Sequence, residues 1–522
     1  MKKTLLAWSL VLTFFVTLSA YAQQTPIPSV TQNKEGRWSL LVDGKPYLVL
    51  GGQAHNSSTW AKTMPQLWDA VHAMGANTLE IPIYWEMIEP QKGQFDFSSV
   101  QMLLDQARQH DTRLILLWFA TWKNGSNHYM PEWMKRESKR FPNVTGKTGK
   151  LIDSPSPHTE EAMKLDASAF AKVMGYLKDN DPQHTVIMVQ VENEPGAWDT
   201  VRDYSAKAEK IFASPVPQEL MTDALLKELG GVKKQKGTWS EVFGARADEY
   251  FHAWHVAKYI EYVAAAGKEV NPLPLYTNAA LRNPLTNPMA NEYESGGPTD
   301  NVICIYRTAA PHLDFVAPDI YLTGHESVTK ILDLYARPDN ALMVPEAGYA
   351  NIKYLYKSIE QGMGFAPFGI DNPDGNSGPA DKNAEIGKDY RLLAPLASDL
   401  AKWSAEGKIR AVVESESHDN QTLDLGDWEA IIKFEEKTGN GRALIVMLDK
   451  NEFLLISRDC RFNVQGKGKN AGKTWQYLKV EEGEYKNDTF HADRVLNGDE
   501  TDWGGPKVGS DPKLLHITLV AR

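Results

Sequence analysis

Two apolar runs in this chain end in carboxylates. Val186-Ile187-Met188-Val189-Gln190-Val191 breaks into Glu192-Asn193-Glu194 before Pro195-Gly196, and Ala341-Leu342-Met343-Val344-Pro345 breaks into Glu346 before Ala347-Gly348. The brevity and β-branched content of the first run suit a strand buried in a parallel sheet. Charge at the end of such a strand carries a desolvation cost unless something there uses it. Either acid alone could be the partner of a buried Arg or Lys. Two acids on one rim are the minimum equipment for cleaving a glycosidic bond. One, held protonated, donates to the leaving oxygen, and the other attacks the anomeric carbon or activates water. Glu194 and Glu346 are therefore the candidate catalytic pair, with Asn193 placed to hydrogen-bond a sugar 2-hydroxyl. Glu192 is expected to be a supporting acid that orients its neighbours, since strict alternation would point it with Glu194.

The elements that would position these groups alternate between strand and helix. Arg37 to Leu50 reads as a hairpin around Asp43-Gly44, and its second strand runs into Gly51-Gly52-Gln53-Ala54-His55. Strand patterns follow at Thr78 to Ile83, Arg113 to Phe119, Val186 to Val191, Leu273 to Tyr276, Phe315 to Tyr321, Ala341 to Pro345 and Gly364 to Phe368. Helical patterns lie between them at Pro65 to Met74, Val100 to Gln109, Ala167 to Leu177 and Ala247 to Ala265, and Tyr390 to Trp403 reads as a last helix. Eight strands alternating with helices predict an α/β (β/α)8 TIM barrel. An open doubly wound sheet would usually carry a glycine-rich first turn, and none is present. Insertions at Asn124 to His158, Ala197 to Ser240 and Asn372 to Lys388 should shape the cleft. Past Lys408, short strand patterns separated by Gly/Asn/Lys-rich turns predict a smaller antiparallel β-sandwich domain. The expected divisions are 1–22 as a signal peptide, 23–407 as the barrel with its N-terminal hairpin, and 408–522 as the sandwich, which serves chiefly to buttress the barrel.

Composition narrows the function class. Lys2 and Lys3 followed by the apolar stretch Leu5 to Leu18 and Ala20-Tyr21-Ala22 form a secretory leader with cleavage after Ala22. The expected destination is the periplasm or the exterior, with no membrane insertion after cleavage. The net charge of −11 argues against nucleic acid as a partner and suits a neutral carbohydrate substrate. Cys304 and Cys460 are far apart in sequence and fit either one disulfide or two buried thiols. No Cys/His cluster has zinc spacing and no loop has phosphate-cradling glycines, so no metal and no cofactor is expected.

Several segments resemble glycoside hydrolase family 35, the β-galactosidases of the retaining barrel clan. Val189-Gln190-Val191-Glu192-Asn193-Glu194-x-Gly196 is similar to its acid/base motif. Leu41-Val42-Asp43-Gly44-Lys45-Pro46 through His55 resembles its first hairpin and strand. Gly75-Ala76-Asn77-Thr78 through Trp85, with Glu89-Pro90-x-x-Gly93-x-Phe95-x-Phe97, resembles its second strand and following loop. The likeness spans roughly the first 200 residues. Pro195 stands where the family commonly has Tyr, and Glu346 lacks the usual aromatic context, which points to a divergent bacterial branch with a β-rich C-terminal domain. The resemblance implies a retaining exo-glycosidase releasing terminal β-galactose, with Glu194 as acid/base, Asn193 at the 2-hydroxyl and Glu346 as nucleophile. A β-glucosidase, β-mannosidase or endo-glycanase of the same clan, or a non-catalytic carbohydrate-binding protein, is the alternative. By clan analogy Tyr321 would hydrogen-bond Glu346, and Asn124 and Trp122, rather than Lys123, would contact the terminal sugar. Tyr276, His55 and Glu86 are further substrate-binding candidates at strand ends, Glu86 having a salt bridge as its plain alternative. Trp198, with Tyr204, would stack on the leaving-group sugar.

Overall fold

The computed structural model describes residues 25–234, 236–371 and 380–522. The leader at 1–22 and the start of the third insertion, 372–379, lie outside the described residues. Eight parallel strands close into a barrel: β1 (Val49–Gln53), β2 (Thr78–Tyr84), β3 (Arg113–Lys123), β4 (Val186–Asn193), β5 (Leu275–Ala280), β6 (Phe315–Ile320), β7 (Val344–Ala347) and β8 (Gly364–Pro367), with β8 returning to pair with β1. Every residue of β2 and β4 is buried, as expected of strands with the barrel interior on one face and helices on the other. Inward side chains of Val49, Ile115, Leu117, Met188, Phe315 and Met343 fill the barrel. Leu40 and Val42 join them from the antiparallel sheet Ser29–Gln32, Trp38–Val42 and Lys45–Tyr47, which closes that end.

Local chemistry explains the regular entry of the chain into the barrel. The helix Met64–Met74 begins with Pro at its first turn and stops at Gly75, whose left-handed φ of 66° lets its N–H reach the last carbonyls. Asn77 then bonds both ends of the β1 start, accepting from the Leu50 N–H at 3.0 Å and donating to the Leu48 carbonyl at 2.9 Å. The Gly-Ala-Asn-Thr motif is thus a helix stop and a strand clamp.

Strand ends differ from the sequence reading where it matters. β3 runs four residues beyond Phe119, to Lys123, and β5 starts at Leu275 and continues to Ala280. β7 is displaced toward Glu346, which lies inside the strand. The segment read as one helix over Tyr390 to Trp403 is two helices, Ala380–Leu393 and Ala397–Ala405, separated by a 3-10 turn at Ala394–Leu396. Pro395 in that turn lacks an N–H and cannot continue the α-helical ladder.

From Ile409 onward the chain forms a six-stranded and a four-stranded antiparallel sheet. Trp428, Phe453, Phe462 and Ile517 pack between them as a sandwich core. The opposite face of the larger sheet, with Leu444, Val446, Leu454 and Ile456, is continuous with the core of the barrel helices. Cys304 and Cys460 are both buried free thiols, so no disulfide forms between them. Among the described residues no helix is long and apolar enough to cross a membrane.

A buried ion cluster seals the barrel to the larger sheet. Asp389, on the helix Ala380–Leu393, accepts from Arg442 at 2.5 Å, from Arg458 at 3.3 Å and from the Tyr356 hydroxyl at 2.8 Å. Removing the shared acid would leave the buried Arg442 guanidinium without a carboxylate, while Arg458 would keep only Glu385 and Asp459. Asp389→Ala is therefore expected to lower unfolding stability by about 3–5 kcal/mol. Urea denaturation checks this, and a change below about 1 kcal/mol would show that the cluster does not hold the two parts together.

Candidate active site

The C-terminal end of β4 is built on two strained residues. Glu192 and Glu194 both take left-handed backbone angles, φ 62° and 41°, a conformation that costs a non-glycine residue on the order of 1–3 kcal/mol. The strain separates the three polar side chains. Glu192 turns outward into the helix layer, where its carboxylate accepts the Trp122 N–H at 2.7 Å and lies beside Asp166. Burial, and then the Asp166 charge, push the Glu192 carboxyl well up, so this pair retains a proton. Asp166 is itself held by the Trp118 indole at 2.9 Å and the Thr121 hydroxyl at 2.6 Å. Glu192 thus secures the end of β3, which matches the expected supporting role.

Asn193 and Glu194 belong to the cleft. The Asn193 side-chain oxygen accepts from the Lys123 ammonium at 2.7 Å, and its buried amide nitrogen makes no hydrogen bond. Lys123 also donates to the Asn124 side-chain oxygen. The lysine thereby fixes both amides with their oxygens toward itself. The Glu194 backbone is held on two sides: its N–H donates to the Asn278 side-chain oxygen at 2.9 Å, and its carbonyl accepts the Gly125 N–H at 2.9 Å.

Glu346 lies across the rim in register with Asp319 of the neighbouring strand. The Tyr321 hydroxyl donates to Glu346 Oε1 at 2.5 Å, while Oε2 makes no hydrogen bond. Burial, and secondly the negative charge of Glu194, push the Glu346 carboxyl up to about 7, against the opposing pull of Lys123 and Tyr321. Asp319 accepts from the Asn278 amide at 2.6 Å, and burial followed by the charges of Glu346 and Glu194 raises it well above the ordinary carboxylate range. Glu346 and Asp319, in register on neighbouring strands and both raised, cannot both ionise freely. Lys123 and Tyr321 favour the charged form of Glu346.

The remaining candidates divide sharply. Tyr321 stands where expected. Asn124, just past β3, is exposed at the rim beside Lys123. Trp198 is 47% exposed on the loop after Glu194. His55 follows β1, with its N–H on Asp371 at 2.9 Å and its ring against Phe368. Glu86 pairs with Lys135 at 3.3 Å, the plainer of its two readings.

Trp122 and Tyr276 do not reach the cleft. Because β3 continues to Lys123, Trp122 faces the helix layer, packs edge-on against Tyr259 and is fully buried. Lys123, read as the less important neighbour, is the one turned inward. Tyr276 is the second residue of β5 rather than its last, so it lies deep in the barrel, stacked on Phe315 and donating to Glu80 at 3.2 Å. Tyr204 packs under Arg202 and lines a separate cavity of about 470 Å³ with Asp199, Met289 and Arg246.

Sequence reasoning missed Asp319 and Glu294. Asn278 and Asp319 carried a usable signal, since both are polar residues inside apolar strands. Glu294 carried none, being one acid in the loop 281–302 that the pattern left unassigned. Among the described residues no cluster of three or more His, Cys, Asp or Glu could hold a metal ion.

An eight-stranded parallel barrel with two coupled carboxyls on its C-terminal rim has the architecture and the chemical equipment of a barrel glycoside hydrolase. The glycoside hydrolase family 42 profile, described as beta-galactosidase, matches residues 55–333, more than half of the chain, and the chain belongs to that family. The profile that matches is family 42 and not family 35, the family that the motifs of the first 200 residues resemble. Residues 386–505 match a domain of unknown function, DUF5597. A beta-galactosidase of Xanthomonas manihotis is 30% identical over 213 residues, covering 40% of this chain and 33% of the relative. Beta-galactosidase 11 of Arabidopsis thaliana is 24% identical over 170 residues, covering 30% of this chain and 18% of the relative. The chain thus spans a third or less of the length of these curated relatives. The beta-galactosidase structure from Bacillus circulans sp. alkalophilus superposes with a TM-score of 0.50 at 15% identity, over 68% of this chain and 57% of that one, a likeness of fold.

The turn around Gly125 is a sensitive point of the site. Gly125 has φ 68°, and an added Cβ would collide with Glu294 Oε1. Gly125→Ala should therefore destabilise the protein by roughly 1–3 kcal/mol and lower Tm in calorimetry. An unchanged Tm would mean that the loop is free to relax.

Proposed function

We propose that the protein is a retaining exo-glycosidase that hydrolyses terminal β-galactosides of oligo- or polysaccharides. The observation that carries this reading is the buried Glu346, hydrogen-bonded by Tyr321 and electrostatically coupled to Glu194 on the same rim. Family membership supplies the sugar. In the first step Glu346 attacks the anomeric carbon and the glycosidic C–O bond breaks. The leaving oxygen takes its electron pair and the proton of Glu194. In the second step Glu194 removes a proton from water, whose oxygen displaces Glu346 from the anomeric carbon. The unpartnered amide nitrogen of Asn193, oriented by Lys123, is available to donate to the 2-hydroxyl. The chemistry draws on side chains alone. The family 35 likeness of the acid/base motif supports the same assignment of Glu194 and Asn193. The leader would carry the chain to the periplasm or exterior, and the segment from 408 onward would serve as a buttress.

Three measurements bear on this. A screen of aryl β-galactosides, β-glucosides and β-mannosides, followed by NMR of the first-formed product, should show galactoside preference and retention of the β-anomer. An α-anomer as first product would reject double displacement. Glu346→Ala should abolish turnover, with partial rescue by azide, which can occupy the space of the lost carboxylate; wild-type activity in this variant would remove Glu346 from the mechanism.

The pH dependence tests the role of Tyr321. Its hydrogen bond favours the charged form of Glu346, so Tyr321→Phe raises the Glu346 pKa further. Because the nucleophile works ionised, activity is present above that pKa and lost as pH falls through it. The acid limb of kcat/KM should therefore move to higher pH, by roughly one to two units for a hydrogen bond to a charged group. A limb that stays in place or moves down would contradict the assignment.

A further inference from the structure

A third carboxyl lies behind Glu194. Glu294 belongs to the loop 281–302 between β5 and the helix Ile303–Ala309, and this loop is stitched to the one carrying Glu194. Ala197 N–H donates to the Ser295 carbonyl at 2.8 Å, and Ser295 N–H returns the bond to Ala197 at 3.1 Å. The Ser295 hydroxyl donates to Val201 at 2.7 Å, and the Tyr306 hydroxyl fixes the Gly296 carbonyl at 2.7 Å. The Glu294 side chain is pressed between Gly125, whose N–H holds the Glu194 carbonyl, and Gly196, just past the turn. It is 2% exposed, and neither carboxyl oxygen makes a hydrogen bond. The Trp198 indole lies alongside.

An ionised carboxylate without partners in such a position is costly. The groups facing Glu294 are Glu194, Lys123, Trp198 and Tyr306. Burial first and the Glu194 charge second raise its pKa well above the usual carboxylate range, with Lys123 and Trp198 opposing. A neutral carboxyl there offers both a donor O–H and an acceptor oxygen to whichever state of Glu194 it faces. We propose that Glu294 is a positioning residue for Glu194, a neutral carboxylic acid that steadies the neighbouring carboxyl both as the acid of the first step and as the base of the second. This rests on Glu194 being the acid/base.

The test separates positioning from mere packing. Glu294→Leu keeps the bulk and removes the hydrogen-bonding atoms, whereas Glu294→Gln keeps a neutral polar group of the same shape. An alkyl β-galactoside needs protonation of its leaving oxygen, and a dinitrophenyl β-galactoside does not. Glu294→Leu should lower kcat/KM on the alkyl substrate at least about tenfold and on the dinitrophenyl substrate less than about threefold. Glu294→Gln should stay within about threefold of wild type on both, with the alkaline limb of its pH profile unmoved. An equal fall on both substrates with Leu, or no fall on either, would overturn the proposal. So would an alkaline limb lowered by about one unit in the Gln variant, because that marks the loss of a negative charge beside Glu194. That last measurement decides the matter even if the Leu variant fails to fold. Glu194→Gln is the control: if it lacks the same leaving-group signature, the acid/base assignment falls and not the role of Glu294.

Discussion

The site depends on a shortage of positive charge. Glu194, Glu294, Asp319 and Glu346 converge on the rim of the barrel, and Lys123 is the cation that opposes the upward shifts of the last three. One ammonium cannot neutralise four carboxylates in a poorly solvated space, so protons must remain on some of them. Which ones keep protons is decided by local bonding. Tyr321 donates to Glu346 and favours its charge, while Glu294 has the Trp198 indole as its opposing neighbour and burial outweighs it. On the proposed mechanism, this asymmetry favours Glu346 as the group that carries charge.

Holding like charges close requires a rigid backbone, and the strain at β4 shows where the resistance lies. Two left-handed residues in three positions would relax if free. They persist because β3, β5 and the loop 281–302 each bond to the turn: Asn124 and Gly125 N–H groups from one side, the Asn278 amide from another, and the Ala197–Ser295 bridge beyond it. The Glu192–Asp166 pair in the helix layer secures β3 in turn. Acids two residues apart at the same strand end therefore have different surroundings: Glu192 secures β3 in the helix layer, and Glu194 lies on the rim with Glu346.

Much of this was legible in the sequence and some could not be. The break from apolar run to acids at Val186 to Glu194 and again at Glu346 was visible because only barrel burial makes such an abrupt change costly. Tyr321 was legible through its place one strand earlier. Trp122 and Tyr276 were misplaced because strand ends are set by hydrogen-bond register with neighbours, which composition does not encode, and a shift of one residue reverses the facing of a side chain. The same ambiguity hid Lys123, whose long side chain reads as solvated until β3 is known to carry it into the barrel. Glu294 was hidden for a different reason: its burial comes from two other loops folding over it, a contact between segments remote in sequence.

Pro195 links these points. It follows a left-handed residue and its ring fixes its own φ, so the turn after Glu194 has little freedom. Proline disfavours the right-handed helical region for the residue before it, which removes one conformation into which strained Glu194 could escape. It also removes an aromatic side chain from the position next to the acid. The exposed aromatic ring on this loop is instead Trp198, three residues further on and beside Glu294. Pro195 thus stiffens the segment that carries Glu194, and the exposed aromatic surface of this loop lies three residues further on, at Trp198.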